Sequence, residues 1–310
     1  MNDNRKGILY TIIGGICWGL CGVLGKYLFD IKGLNAQWLV SVRLLWAGVL
    51  LLLIAYIKEK NSIFQVWKNK RSGISMVVFG IFGMSFCQLS YFLAIQYSNA
   101  GTATVLQYTA PVVIMIFYAL KERRLPNTKE IIVLVMVSVG TFLLATHGSL
   151  DTLIITKHAL FWGIMAALTL CIYNIQPRKL LADFGSIPTV GWGMLLGGIV
   201  LGVIIKPWHV IGIWDIKTVL AISGVIVIGT MISFCSYLEG VRLIGPVKAS
   251  LFACVEPLVA MILSIFVTKI PFTGVDLAGM LFILVGVGAL SVKFPKERML
   301  LKYREKTAAK

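Results

Sequence analysis

Residues 73–97 read GISMVVFGIFGMSFCQLSYFLAIQY, and residues 219–243 read VLAISGVIVIGTMISFCSYLEGVRL. Each is apolar over the ~20 residues that a helix needs to cross ~30 Å of hydrocarbon. A shift of 146 positions lays Gly83 on Gly229, Ser90 on Ser236 and Tyr91 on Tyr237. The same shift continues without insertion through Ala103 on Ala249, Pro111 on Pro257, Met115 on Met261 and Gly140 on Gly286. One membrane-spanning unit is therefore used twice.

Working outward from that pair, ten apolar stretches follow one another, near 7–28, 36–57, 73–97, 102–120, 128–146, 158–176, 187–205, 218–238, 246–268 and 273–292. Five per copy is an odd number, so the second copy must enter the bilayer from the opposite side to the first. The expected fold is an all-α integral membrane protein of ten transmembrane helices arranged as two inverted five-helix repeats. We expect a first repeat over 1–146, a connecting outer loop over 147–157, a second repeat over 158–292 and a basic tail over 293–310.

Composition agrees. With 58% hydrophobic and 14% charged residues, a chain of 310 residues has too little polar surface to clothe a soluble globule. Its formal net charge of +16 is not spread as a nucleic-acid-binding face would need. With the N-terminus placed inside, 22 of the 29 Lys and Arg residues fall before the first span, in alternate connections or in the tail, and six fall outside. The positive-inside rule then puts both termini in the cytoplasm. The first apolar segment has no small-residue cleavage site and is expected to be retained. The six cysteines show no C-x-x-C spacing, and no metal, disulfide or cofactor is implied. No G-x-x-x-x-G-K-[ST] fingerprint is present, so nucleotide hydrolysis is not expected to drive the protein.

Residues that lipid tolerates poorly mark the candidate site. Pro111 and Pro257 break helices at matching positions of the two repeats. Glu256 stands about ten residues into its span, where a carboxylate costs at least ~2.5 kcal/mol and must face the bundle interior or a wet cavity. Arg43, in the second span, is its cationic counterweight. The readings open to it are an ion pair, a contact to substrate, or an extended side chain reaching the outer surface. Trp18, Gln88, Tyr91, Gln107, Tyr108, Tyr173, Asn174, Trp192 and Tyr237 offer amides and aromatic rings at mid-membrane depth. Glycines of the first and seventh spans, among them Gly15, Gly19, Gly193 and Gly197, are expected at close helix crossings.

These residues resemble the EamA-type branch of the drug/metabolite transporter (DMT) superfamily. The resemblance is carried by Trp18-Gly19, Lys26, Arg43, and Pro111 with Glu122-Arg123. In the second copy it rests on Tyr173, Arg178-Lys179, Gly245-Pro246-Val247-Lys248-Ala249-Ser250 and Glu256-Pro257. It implies a basket of ten helices around a central cavity that moves small metabolites, often amino acids or related compounds, commonly outward. One departure is Thr268-Lys269, which stands opposite Glu122-Arg123.

The expectation is thus a secondary transporter, an exporter or exchanger in the cell membrane, working by alternating access and not as an enzyme. Substrate-binding residues are Trp18, Arg43, Gln88, Tyr91, Gln107, Tyr108, Tyr173, Asn174, Tyr237 and Glu256, with Pro111 and Pro257 gating. Its partners are a small-molecule substrate and the lipid bilayer, not nucleic acid, and the oligomeric state stays open. A passive pore or sensor is one rival. A lipid-modifying enzyme using His147, Asp151 and His158 is another, although the outer loop lacks the acidic clusters that diphosphate chemistry needs.

Overall fold

A computed structural model describes residues 3–107, 109–110, 112–113, 116, 123, 125, 127–146, 155–245, 248–249, 252–253, 255–267 and 273–291. Those residues are overwhelmingly helical, with no strand among them. We number the main helices α1 (Asp3–Asp30), α2 (Ala36–Glu59), α3 (Lys70–Tyr97), α4 (Ala100–Gln107), α5 (Thr128–Thr146), α6 (Lys157–Ile175), α7 (Ser186–Ile205), α8 (Ile216–Ile244), α9 (Val255–Val267) and α10 (Gly274–Ser291). Among the described residues, α1, α2, α3, the run Lys157–Phe184, α7 and α8 are long and apolar enough to cross a membrane. Shorter apolar helices cover Ile131–Gly140 and Gly274–Gly286. The expected spans at 102–120 and 246–268 fall partly on residues outside the described set, as do Tyr108 and Pro111.

Local chemistry sets the helix ends. The Asn35 side chain accepts from the Trp38 amide at the start of α2, and that of Asp215 accepts from Thr218 at the start of α8, which satisfies N–H groups that a helix leaves orphaned. α7 stops where Lys206 turns left-handed at φ 52°.

Equivalent helices of the two halves pack antiparallel. A methyl group at Gly48 would stand 2.5 Å from the Leu195 amide nitrogen, and one at Gly198 would stand 2.6 Å from that of Leu45, while Gly191 faces Leu52. As residue numbers rise along α2 they fall along α7, so the two helices run in opposite directions with their backbones in contact. α5 and α10 repeat the pattern through Gly140 against Gly279 and Gly286 against Met136. Without hydrophobic drive between helices in lipid, such close approach through small residues is what holds them together.

Both α3 and α8 contain a π-helical stretch at the same relative place, Phe79–Ser85 and Val227–Ile232. The wider turn is closed by amide bonds five residues back, Phe86 to Ile81 and Ser233 to Ile228. Side-chain hydroxyls do the same: Ser85 Oγ donates to the Gly80 carbonyl at 3.1 Å and Thr230 Oγ1 to that of Val225 at 2.6 Å. The inserted residue rotates everything after it, which turns Gln88 and Tyr91 on one helix and Phe234 and Tyr237 on the other toward the centre.

The two ends of the bundle are clasped in similar ways. At one end Trp38 Nε1 donates to the Pro207 carbonyl at 2.9 Å, its ring packs edge-on against Trp214 at 5.7 Å, and Lys32 Nζ pairs with Asp215 Oδ2 at 2.6 Å. At the other, Trp192 Nε1 donates to the Ile63 carbonyl at 2.9 Å and its ring meets Trp67 edge-on at 5.2 Å. Each indole lies in the first two turns of α2 or α7 and grips the loop that follows the partner helix.

The Lys32 hydrogen bond, followed by those from Thr218, holds the Asp215 carboxyl well below the usual carboxylate range, and the Asp215 bond raises Lys32. A depressed acid contributes stability above its unfolded value near ~3.9 and loses it as pH falls through the folded one, while a raised amine contributes below ~10.4 and loses it as pH climbs. This clasp is therefore intact across the neutral range, and Asp215→Asn should leave the shape of any pH profile between about pH 5 and 9 unchanged. Thermal unfolding in detergent checks the packing: Gly48→Ala and Gly198→Ala should each cost about 1–3 kcal/mol. Gly288→Ala, where a methyl group meets nothing within 4 Å, should be neutral or stabilising.

Candidate functional site

The π-rotated faces of α3 and α8, with α1, α2, α4, α6 and α9, enclose a hollow at the centre of the bundle. Its cavity volume is ≈ 40 Å³. That is room for a few waters as the chain now stands.

Arg43 of α2 is the largest fully buried side chain, 1% exposed. Its Nη1 donates to Cys21 Sγ at 3.3 Å, its Nη2 donates to Gln88 Oε1, and its guanidinium lies 4.3 Å from the centre of the Phe92 ring. A desolvated cation over an aromatic face gains ~2 kcal/mol. The three open sequence readings of Arg43 narrow accordingly: among the described residues it makes no ion pair with Glu256, and it does not extend toward the surface.

Glu256, 3% exposed, also lines the hollow, from the first turn of α9. Tyr91 OH donates to its Oε1 at 3.2 Å and accepts from Thr104 Oγ1 at 2.7 Å. The backbone explains how a carboxylate is tolerated here. A turn at Ala253, closed by the Glu256 amide to the Ala253 carbonyl at 2.9 Å, precedes α9, so the carboxylate sits at a helix N-terminus, where the backbone dipole favours negative charge. The break thus comes before Pro257, which falls in the first turn, where its missing N–H removes no helical bond. In the other half, α4 ends at Gln107 and the Val112 amide donates to the Thr109 carbonyl at 3.0 Å, a turn at the matching place.

The remaining wall is aromatic. Tyr237 OH donates to Asn174 Oδ1 at 2.6 Å, while Asn174 donates from Nδ2 to the Leu170 carbonyl. Trp18 packs against Tyr237 at 4.7 Å and Phe234 at 5.0 Å, and Tyr173 stacks on Tyr237 at 6.0 Å. Small residues make room: a methyl group at Gly14 would lie 3.0 Å from the Ser233 carbonyl, and one at Gly19 2.9 Å from that of Glu256.

Trp18, Arg43, Gln88, Tyr91, Gln107, Tyr173, Asn174, Tyr237 and Glu256 all line this one hollow, and Ala110 and Ala253 fill in at its helix breaks. Tyr108 and Pro111 lie outside the described residues. Trp192 does not line the hollow; it belongs to an end clasp, where its N–H finds a backbone acceptor that mid-membrane would not provide. Sequence reasoning missed Cys21, Cys87, Phe92, Leu170 and Phe234. Two signals were present: Cys21 follows Trp18 by one turn, and Phe234 is the copy of Gln88.

A family model for EamA-like transporters matches residues 5–146 and 157–292. The chain is 37% identical over 300 residues, 94% of its own length and 97% of the relative's, to the uncharacterized inner membrane transporter YicL of Salmonella typhimurium. It is 24% identical over 264 residues, 81% and 83% of the two chains, to the uncharacterized transporter YyaM of Bacillus subtilis. A solved crystal structure has the same fold, with a TM-score of 0.67 over 93% of this chain and 96% of that one at 14% identity. The paired family match across both halves, on a bundle of apolar helices with a polar centre, makes the chain a membrane transporter that belongs to the EamA-like family of the drug/metabolite superfamily.

Proposed function

We propose that the chain is a secondary carrier that exports or exchanges small metabolites, such as amino acids or related compounds, by alternating access around the central hollow. In this reading ten spans form two inverted five-helix repeats, both termini are cytoplasmic, and the protein works in the cell's inner membrane. The observation that carries it is the position of the hollow: both halves line it, it sits at matching breaks of α4 and α9, and a clasp closes the bundle at either end. Two similar units in opposite orientation have near-equal energies when opened to either side, so modest ligand binding shifts the balance.

Trp18, Arg43, Gln88, Tyr91, Gln107, Tyr108, Tyr173, Asn174, Tyr237 and Glu256 contact the solute, and the turns at Thr109 and Ala253, beside the gating residues Pro111 and Pro257, let the half-helices move. With the N-terminus inside, the Trp38–Trp214 clasp with its Lys32–Asp215 pair is the outer seal and the Trp192–Trp67 clasp the inner one. Glu256 carries the coupling proton, relayed through the hydroxyls of Tyr91 and Thr104.

Reconstituted vesicles test this reading. Saturable counterflow is expected of a carrier, and unsaturable flux would make the chain a pore. A proton-coupled Glu256 predicts that Glu256→Gln abolishes the response of uptake to a pH step, and an undiminished response removes Glu256 from coupling. The seals are tested in a variant that keeps only Cys21, which lines the hollow. Trp38→Phe with Asp215→Asn should speed its labelling by a membrane-impermeant thiol reagent from outside. Trp192→Phe should do so from inside, and labelling that rises on the same side in both overturns the two-seal arrangement.

A further inference from the structure

Three buried hydrogen-bond donors belong to side chains that line the hollow, and none has a partner among the described residues. Arg43 Nε, Trp18 Nε1 and Tyr173 OH are shielded from solvent and lack any partner, although Arg43 and Tyr173 are 1% and 0% exposed. The other buried polar atoms in this condition, Ser41 Oγ and Gln176 Oε1, belong to residues that do not line it. A buried donor without a protein acceptor must be met by water or by a ligand, so folded proteins keep few of them, and those retained call for an explanation. Three around one cavity amount to a recognition surface awaiting acceptor atoms.

Charge narrows what those acceptors are. Among the described lining residues there is one cation, Arg43, and one carboxylate, Glu256, which already accepts from Tyr91. A cationic group placed against Arg43 would suffer repulsion and leave all three donors unpaired. A doubly charged phosphate would bring an excess negative charge into a low-dielectric chamber that also holds Glu256. A single carboxylate matches a single guanidinium and accepts hydrogen bonds strengthened by charge. The rings of Phe92, Phe234 and Tyr237 stand ready for an apolar body.

We infer that the solute is a compact monocarboxylate whose carboxylate docks on Arg43, while Trp18 and Tyr173 donate to its acceptor atoms and the aromatic wall holds its apolar part. Its consequence for transport rests on the carrier reading above, whereas binding itself does not. Arg43 supplies the charge; Trp18 and Tyr173 are specificity residues that reject solutes with nothing to accept.

Thermal stabilisation of the purified full-length chain tests the assignment. The probes are monocarboxylates of up to a dozen or so heavy atoms, α-amino acids among them, each beside its primary amide, its decarboxylated amine and a phosphate analogue. Carboxylates should stabilise the chain, and the amide, amine and phosphate analogues should not. Arg43→Lys should remove the preference, and Trp18→Phe and Tyr173→Phe should each weaken binding by ~10-fold. Tyr173→Phe should melt, without ligand, at the parental temperature or above it, because it keeps the ring and deletes a donor that has no partner among the described residues. The proposal is overturned if no carboxylate stabilises, if stabilisation follows the amine or the phosphate, or if both variants keep full affinity. A lower ligand-free melting temperature in Tyr173→Phe would also overturn it, since that donor would then be structural. Counterflow keeps the two readings apart: carboxylate binding without counterflow removes the carrier and leaves the subsite, and counterflow confined to carboxylate-free solutes does the reverse.

Discussion

A guanidinium inside a bilayer must be solvated by the protein, and the centre of this molecule is organised around that requirement. Arg43 cannot shed its charge at any physiological pH, so α1 supplies a thiol, and α3 an amide and an aromatic face. Those groups have to arrive at the same depth as Arg43 from two other helices. The glycine crossings bring the backbones close enough for that, and the π-helical stretch in α3 turns Gln88 inward.

The same logic governs the carboxylate, with the sign reversed. Glu256 is placed at a helix start, where backbone N–H groups favour an anion, and a tyrosine from the other half donates to it. Among the described residues the cation and the carboxylate are each held by their own neighbours and not by one another, and Arg43 Nε keeps a donor to spare.

Much of this was legible in the chain, for physical reasons that differ by feature. The duplication and six of the spans could be read because bilayer thickness imposes a length and most charged residues are confined to connections. Arg43 and Glu256 stood out because ionised groups at that depth are expensive unless the interior receives them. The π-helical stretches could not be read, since π and α turns draw on the same apolar residues. Cys21, Cys87, Leu170, Phe92 and Phe234 were missed because small and apolar side chains are equally at home facing lipid. Trp192 was read as a ring at mid-depth, whereas the indole N–H drew it to a loop carbonyl at the end of the bundle.

The two clasps are built on the same indole device but are not equal in kind. One adds the Lys32–Asp215 pair, whose attraction dissolved ions screen within about 8 Å at physiological strength; the other relies on ring packing and an indole N–H, which ions barely touch. Dissolved electrolyte thus weakens the ionic member of one clasp and leaves the other nearly untouched, so ambient salinity sets the relative strength of the two ends even though both are built on one plan.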